Sequence, residues 1–126
     1  MKQIIQTKYA PAPVGPYNQA VIANGILYVS GQIAIDPESG ELETGGIKSE
    51  TERVMQNIAG ILAEANTTFD NVIKCTIFMT DMENYAAINE VYSRYFKDDT
   101  APAREAVEVS NLPKYVKVEI SCLATV

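Results

Sequence analysis

The dipeptide Asn24-Gly25, set between the β-branched and aromatic runs Tyr17 to Ala23 and Ile26 to Ile35, narrows what this chain can fold into more than any other feature. Asn and Gly accept positive φ readily, and a two-residue turn built on them matches the right-handed twist of its flanking strands. A β-hairpin is therefore expected here, followed by a second turn at Asp36-Pro37-Glu38-Ser39-Gly40. Just upstream, Ala10-Pro11-Ala12-Pro13-Val14-Gly15-Pro16 should be a stiff loop, because proline fixes φ. An isolated hairpin is marginal in water, so the rest of the chain must widen and cover it.

From Ile47 the apolar period changes. Ile47, Val54, Ile58, Ile61, Leu62 and Ala65 recur at helical spacing, with Glu50, Glu52, Arg53 and Gln56 on the other side and Asn66 as the C-cap. Val72 to Thr80 reads as a strand in which Ile73, Cys75, Ile77 and Met79 alternate with Lys74, Thr76 and Phe78. A second helix is expected from about Met82 to Phe96, capped by Asp81, with Tyr85, Ile88, Tyr92 and Phe96 as a core stripe. Two closing strands follow, Glu105 to Ser110 and Val116 to Thr125, and the short loop Asn111-Leu112-Pro113-Lys114-Tyr115 predicts that they are antiparallel neighbours. The order β-β-β-α-β-α-β-β implies an α+β fold with both helices on one face of a six-stranded sheet. With no repeat or linker, residues 1–126 are expected to form a single domain.

Composition removes several kinds of chemistry. There is no histidine, which excludes Ser-His-Asp and Cys-His nucleophiles, a two-histidine ribonuclease pair and any histidine metal site. Acid/base work falls to carboxylates, tyrosines or lysines. Sixteen acidic against ten basic residues give a net charge of −6, and no basic stripe exists for a phosphate backbone, so no nucleic-acid partner is expected. Cys75 and Cys122 lack metal or redox spacing and read as buried, inert thiols. Met1 to Ile5 has no leader-like apolar region, and no apolar run approaches the ~20 residues of a membrane span, so a cytoplasmic protein without a membrane partner is expected.

Strand alternation then isolates two charges. Val107 and Val109 share one side of their strand, and Arg104, Ala106, Glu108 and Ser110 the other; in the last strand Val118, Ile120, Cys122 and Ala124 are the apolar side, and Lys117, Glu119, Ser121, Leu123 and Thr125 the mixed one. If the helices cover the apolar sides, Arg104 and Glu119 lie on the opposite face, on neighbouring strands. A face that also carries Ala106, Leu123 and Phe78 is expected to be covered by another subunit. Two readings of the charged pair stand side by side: an intersubunit ion pair, or a site in which Arg104 grips a substrate carboxylate and Glu119 positions or deprotonates a water.

Gly15-Pro16-Tyr17-Asn18-Gln19-Ala20, Tyr28-Val29-Ser30-Gly31-Gln32-Ile33, Asn89-Glu90-Val91-Tyr92, Pro102-Ala103-Arg104, Val107-Glu108-Val109, Leu112-Pro113-Lys114 and Val118-Glu119-Ile120 together resemble the Rid (YjgF) family of enamine/imine deaminases, over essentially the whole chain. The resemblance implies a chorismate-mutase-like α+β fold, a mixed sheet, and a homotrimer with sites in the clefts between subunits. It implies hydrolysis of 2-imino and 2-enamino acids, released by pyridoxal-phosphate enzymes, to 2-oxo acids and ammonia, with no cofactor or metal. By the same resemblance Arg104 forms a bidentate pair with the substrate carboxylate, Glu119 holds the water and relays its proton, and Tyr17 closes the pocket. Backbone at Gly31 and Ala106 completes the cradle, and Ser30, Asn89 and Pro113 support it. Three positions depart from the family pattern: Ala106 where cysteine is frequent, Glu105 where a small residue is usual, and Ser121 where glutamate is common. The alternatives are a non-catalytic trimer that binds a 2-oxo acid through Arg104 and, against the charge and the missing histidine, the RNA cleavage or translation inhibition named for some relatives.

Overall fold

In the computed structural model, which describes residues 1–126, Asn24 and Gly25 take φ of 52° and 78° and join β2 (Ala20–Ala23) to β3 (Ile26–Gln32), with Ala23 facing Ile26. The hairpin is as expected, but its strands are shorter than the apolar runs, because buried carboxamides hold the flanking chain. The Gln19 Nε2 donates to the carbonyls of Thr7, Ala10 and Pro11 while its Oε1 accepts from Thr7 N–H, so Tyr17 to Gln19 belong to a loop. The Asn57 Nδ2 donates to the carbonyls of Ile33 and Ile35 and draws the chain out of β3. The second turn forms with Gly40 at φ 76° and Ile35 bridged to Leu42. β1 (Gln3–Ile5), for which the pattern sets no bounds, pairs with β2 and completes the three strands expected before the first helix.

Helix α1 (Ile47–Glu64) buries Val54, Ile58, Ile61 and Leu62, and Asn66 follows its last turn at φ 58°. Asparagine tolerates this left-handed stop better than most residues. Next come β4 (Val72–Met79), α2 (Tyr85–Tyr92), β5 (Ala103–Glu108) and β6 (Val118–Thr125). Only the middle of the expected second helix is α-helical; 3₁₀ turns at Met82–Asn84 and Ser93–Tyr95 extend it, with the Asp81 carboxylate accepting from Glu83 N–H. Tyr92 and Phe96 pack with Phe69 and Tyr95 as core, as the stripe predicts.

The six strands form one mixed sheet in the order β1-β2-β3-β6-β4-β5, and both helices contribute to the core on one of its faces. The inward side of β6 is sealed, with Val118, Ile120 and Ala124 at 0% exposure. Cys75 and Cys122 are buried, free and directly opposite one another.

Four expectations are corrected. The closing strands are not neighbours: β5 runs parallel to β4 at the sheet edge, and β4 separates it from β6. The connecting loop crosses the end of β4, held by Val109 N–H to Met79 O and Thr80 N–H to Lys117 O, so a short loop does not here imply pairing. The side assignment on β5 also reverses. Cys75 faces Arg104 on one side and Cys122 on the other, so Arg104 and Ala106 lie on the helix-covered side, and Val107, opposite Phe78, lies on the open face with Glu119. Arg104 and Glu119 thus occupy opposite faces of strands that do not touch. In β4 a register shift between Val72 and Lys74 buries Val72 and turns Ile73 outward. Finally, Glu50 is buried, not on a solvated face: its Oε2 accepts from the N–H groups of Lys117 (2.8 Å) and Val118 (3.0 Å).

Candidate functional site

On β3, Val29 pairs with Cys122 and Gln32 with Ile120, so Ser30 and Gly31 together oppose Ser121. A two-against-one bulge of this kind bends its strand and re-aims the side chains beside it. Ser30 turns its hydroxyl onto the Asn18 carbonyl at 2.6 Å. At Gly31 the constraint is space: a Cβ would lie 2.5 Å from Glu119 Oε2 and 2.7 Å from its Cδ. Only glycine lets the Glu119 carboxylate rest against the β3 backbone. Burial alone pushes this carboxyl above the ordinary carboxylate range, with no hydrogen bond or cation beside it to offset the effect.

Glu119, Gly31, Ser30 and Tyr17 line one cavity of about 390 Å³. The Tyr17 ring folds back over Gly15, and its hydroxyl accepts a long, 3.4 Å contact from Val14 N–H. The opposite wall is the proline loop, made rigid by Gln19 and by Gly60, where a Cβ would lie 2.6 Å from the Tyr9 carbonyl. A wider groove of about 630 Å³ beside α1 and α2 is lined by charges of both signs and contains none of the candidate residues.

Lys114 also lines the Glu119 cavity, which alternation did not predict. It sits at φ 56° and Tyr115 after it also at φ 56°, a left-handed pair of non-glycine residues. Such backbone costs roughly 1–2 kcal/mol per residue and persists only where neighbours enforce it. Tyr115 N–H bonds to Leu112 O at 2.9 Å and Val116 N–H to Pro113 O at 3.3 Å, and Glu50 fixes the amides of Lys117 and Val118. The sequence signal for it is the Leu112-Pro113-Lys114 motif, which carries this lysine in a loop that strand periodicity does not reach.

Arg104, Ala106 and Asn89 are not in this cavity. Arg104 lies on the helix side of β5, with NH1 donating to Asn89 Oδ1 and NH2 to the Tyr85 hydroxyl, each at 2.6 Å. Its guanidinium lies 5.0 Å from the Tyr92 ring centroid and 5.6 Å from that of Tyr85. The ion pairs of the chain are Lys48–Glu90 and Lys74–Glu105, so no carboxylate neutralises Arg104. Glu105, the departure next to Arg104, points to the open face, paired with Lys74 and accepting from the Thr76 hydroxyl. It does not crowd the arginine.

Comparison with known proteins agrees with this fold. The family model described as Endoribonuclease L-PSP matches residues 7–126. A RutC family protein of Synechocystis is 50% identical over 97% of this chain and 95% of its own length. The 2-iminobutanoate/2-iminopropanoate deaminase of Capra hircus is 43% identical over 98% of this chain and 90% of its own. The crystal structure of YyfA from Yersinia pestis, a protein of unknown function of the conserved Rid protein family, superposes with a TM-score of 0.97 at 48% identity, covering 100% of both chains. No helix is long and apolar enough to cross a membrane.

Proposed function

Because the chain belongs to the endoribonuclease L-PSP family, which includes Rid proteins and relatives named as imine deaminases, we propose that it hydrolyses small 2-imino and 2-enamino acids to 2-oxo acids and ammonia. The observation that carries this reading is a pair of opposite charges that the fold leaves uncompensated: Glu119 against Gly31, and Arg104 among neutral acceptors. Buried or half-buried charges without partners are costly, and a substrate bearing a carboxylate and an electrophilic C=N is complementary to both.

In this mechanism Arg104 grips the substrate carboxylate with the N–H groups that Asn89 and Tyr85 leave free. A water held by Glu119 adds to C2 of the imine; its oxygen bonds to carbon, its proton passes to the carboxylate, and the C=N electron pair moves to nitrogen. Glu119 then returns that proton to the nitrogen, giving a carbinolamine; the carboxylate next takes the remaining hydroxyl proton and passes it to the nitrogen, so that the C–N bond breaks, ammonia leaves and the C=O forms. A carboxyl whose affinity for protons is raised by burial is a stronger base than an exposed one. The imine is already electrophilic, so orientation and proton relay through one carboxylate are sufficient. Tyr17, Ser30 and Gly31 form the wall around the reacting atoms, with the Ala106 backbone beside Arg104.

Since Arg104 and Glu119 lie on opposite faces of one sheet, a complete site needs a second copy of the chain. The open face offers Ile4, Tyr28, Ile73 and Val107 as exposed apolar contacts, and we propose a homotrimer that sets the β5 edge of one subunit against the Glu119 cavity of the next.

The test is to add the protein to a pyridoxal-phosphate dehydratase that releases 2-iminobutanoate. Faster 2-oxobutanoate formation, lost in Arg104→Ala, is the expected result; absence of acceleration with any small imino acid overturns the reading. Binding of 2-oxobutanoate without acceleration would instead mark a carboxylate-binding protein.

A further inference from the structure

Beyond the roles assigned above to Arg104 and Asn89, the neighbourhood of the arginine has a feature that hydrolysis alone does not require. A guanidinium carries five N–H donors in one plane, and that plane decides which carboxylate orientation it accepts. A single anchor at one terminal nitrogen leaves the plane free to swing. Here both terminal nitrogens are anchored, by residues one turn apart on α2: NH1 on Asn89 Oδ1 and NH2 on the Tyr85 hydroxyl, each at 2.6 Å.

The face of the guanidinium is confined as well. The Tyr92 ring, 5.0 Å from Arg104 Cζ, is itself packed in the core: Tyr92 is 5% exposed and its hydroxyl is buried beside the Cys75 thiol. Tyr85, by contrast, is only partly buried, and its ring centroid lies 5.6 Å from Arg104 Cζ. Its hydroxyl is therefore an acceptor at the rim of the core, directed at one nitrogen.

We infer that Tyr85 is a positioning residue that fixes the plane of Arg104, so that the guanidinium meets an incoming carboxylate already oriented. All of its contacts with Arg104 are neutral, so it restrains the fork without lowering its charge. A carboxylate in the same place would restrain it equally but compete with the ligand. Preorganisation of this kind appears as tighter binding, since the ordering has been done before the ligand arrives.

Tyr85→Phe keeps the ring and removes only the anchor. Nitrogen-15 resonances of the Arg104 side chain should report hindered rotation of the guanidinium in the wild type and rotation at least about tenfold faster in Tyr85→Phe; equal rates in the two proteins overturn the inference. The kinetic arm rests on the proposed imine hydrolysis: KM should rise about three- to tenfold with kcat within twofold, and in an Arg104→Lys background Tyr85→Phe should add nothing. If wild-type protein shows no activity, the functional reading fails, and the rotation rates still decide the role of Tyr85.

Discussion

Glu50 and Glu119 are the same side chain, both pushed by burial above the ordinary carboxylate range, and they bear on adjacent residues of one strand. Glu50 accepts from the amides of Lys117 and Val118, the two residues immediately before Glu119. Its charge is met by fixed N–H dipoles, and it joins the first turn of α1 to the start of β6. Glu119 faces a cavity, and burial has no offset there. A carboxylate matched by backbone donors holds a fold together, while one left unmatched beside a void is free to take a proton. Burial is common to both; the difference lies in what has replaced the lost water.

The largest effect that separates them is on activity. Glu119→Gln removes the proposed proton acceptor with little change in shape, and kcat/KM for imine hydrolysis should fall at least about 100-fold, the lower end of what general base catalysis contributes. Glu50→Gln can keep a carbonyl oxygen where Oε2 accepts from both amides and should cost less than about fivefold. Steady-state assays of both variants check this, and an equal loss in Glu50→Gln would break the distinction.

The next effect is on stability, and it runs the other way. Glu50→Ala leaves one buried and one part-buried amide without an acceptor beside a left-handed turn, which should cost roughly 2–6 kcal/mol at about 1–3 kcal/mol for each group. Denaturant unfolding at neutral pH measures it, and the midpoint should drop while the slope stays constant. Glu119→Gln in the same experiment should show no loss.

How much of this was legible in the sequence follows from the range of each signal. The Asn24-Gly25 turn, the α1 stripe and the inward side of β6 are local patterns, readable because spacing alone sets them. Pairing order is not local. The loop from β5 to β6 is short enough for a hairpin, yet β4 lies between them, because α2 carries the chain over from β4 into a parallel edge strand. The faces of Arg104 and Val107 fail for the same reason: at an edge beneath a helix end, a polar cluster of Tyr85, Asn89 and Arg104 replaces the apolar side that alternation assumes. Glu50 was misplaced because a helical wheel cannot show that two amides of a distant strand wait above it. The residues brought together around Glu119 were named from family motifs, and the bulge that gathers Ser30 and Gly31 there has no signature in periodicity.

The smallest effect is the pH dependence, and it separates function from stability within Glu119 itself. Its carboxyl is raised in the folded protein, so the fold prefers the protonated form. The stability this group contributes is therefore complete below the ordinary carboxylate pKa and is lost as pH rises through the raised folded value. In the proposed mechanism Glu119 acts in its ionised form, so kcat/KM should decline as pH falls through that same raised value, in the opposite sense to stability. Glu119→Gln abolishes both dependences. Because the group is half-buried and solvent screens it, the stability gained at pH 8 should be only about 0.5 kcal/mol, a rise in Tm of about 2 °C, shrinking toward zero at pH 4. Melting curves of wild type and variant at the two pH values test the sign: a variant less stable than wild type at pH 8 would mean that Glu119 has a partner in solution and belongs with Glu50 after all.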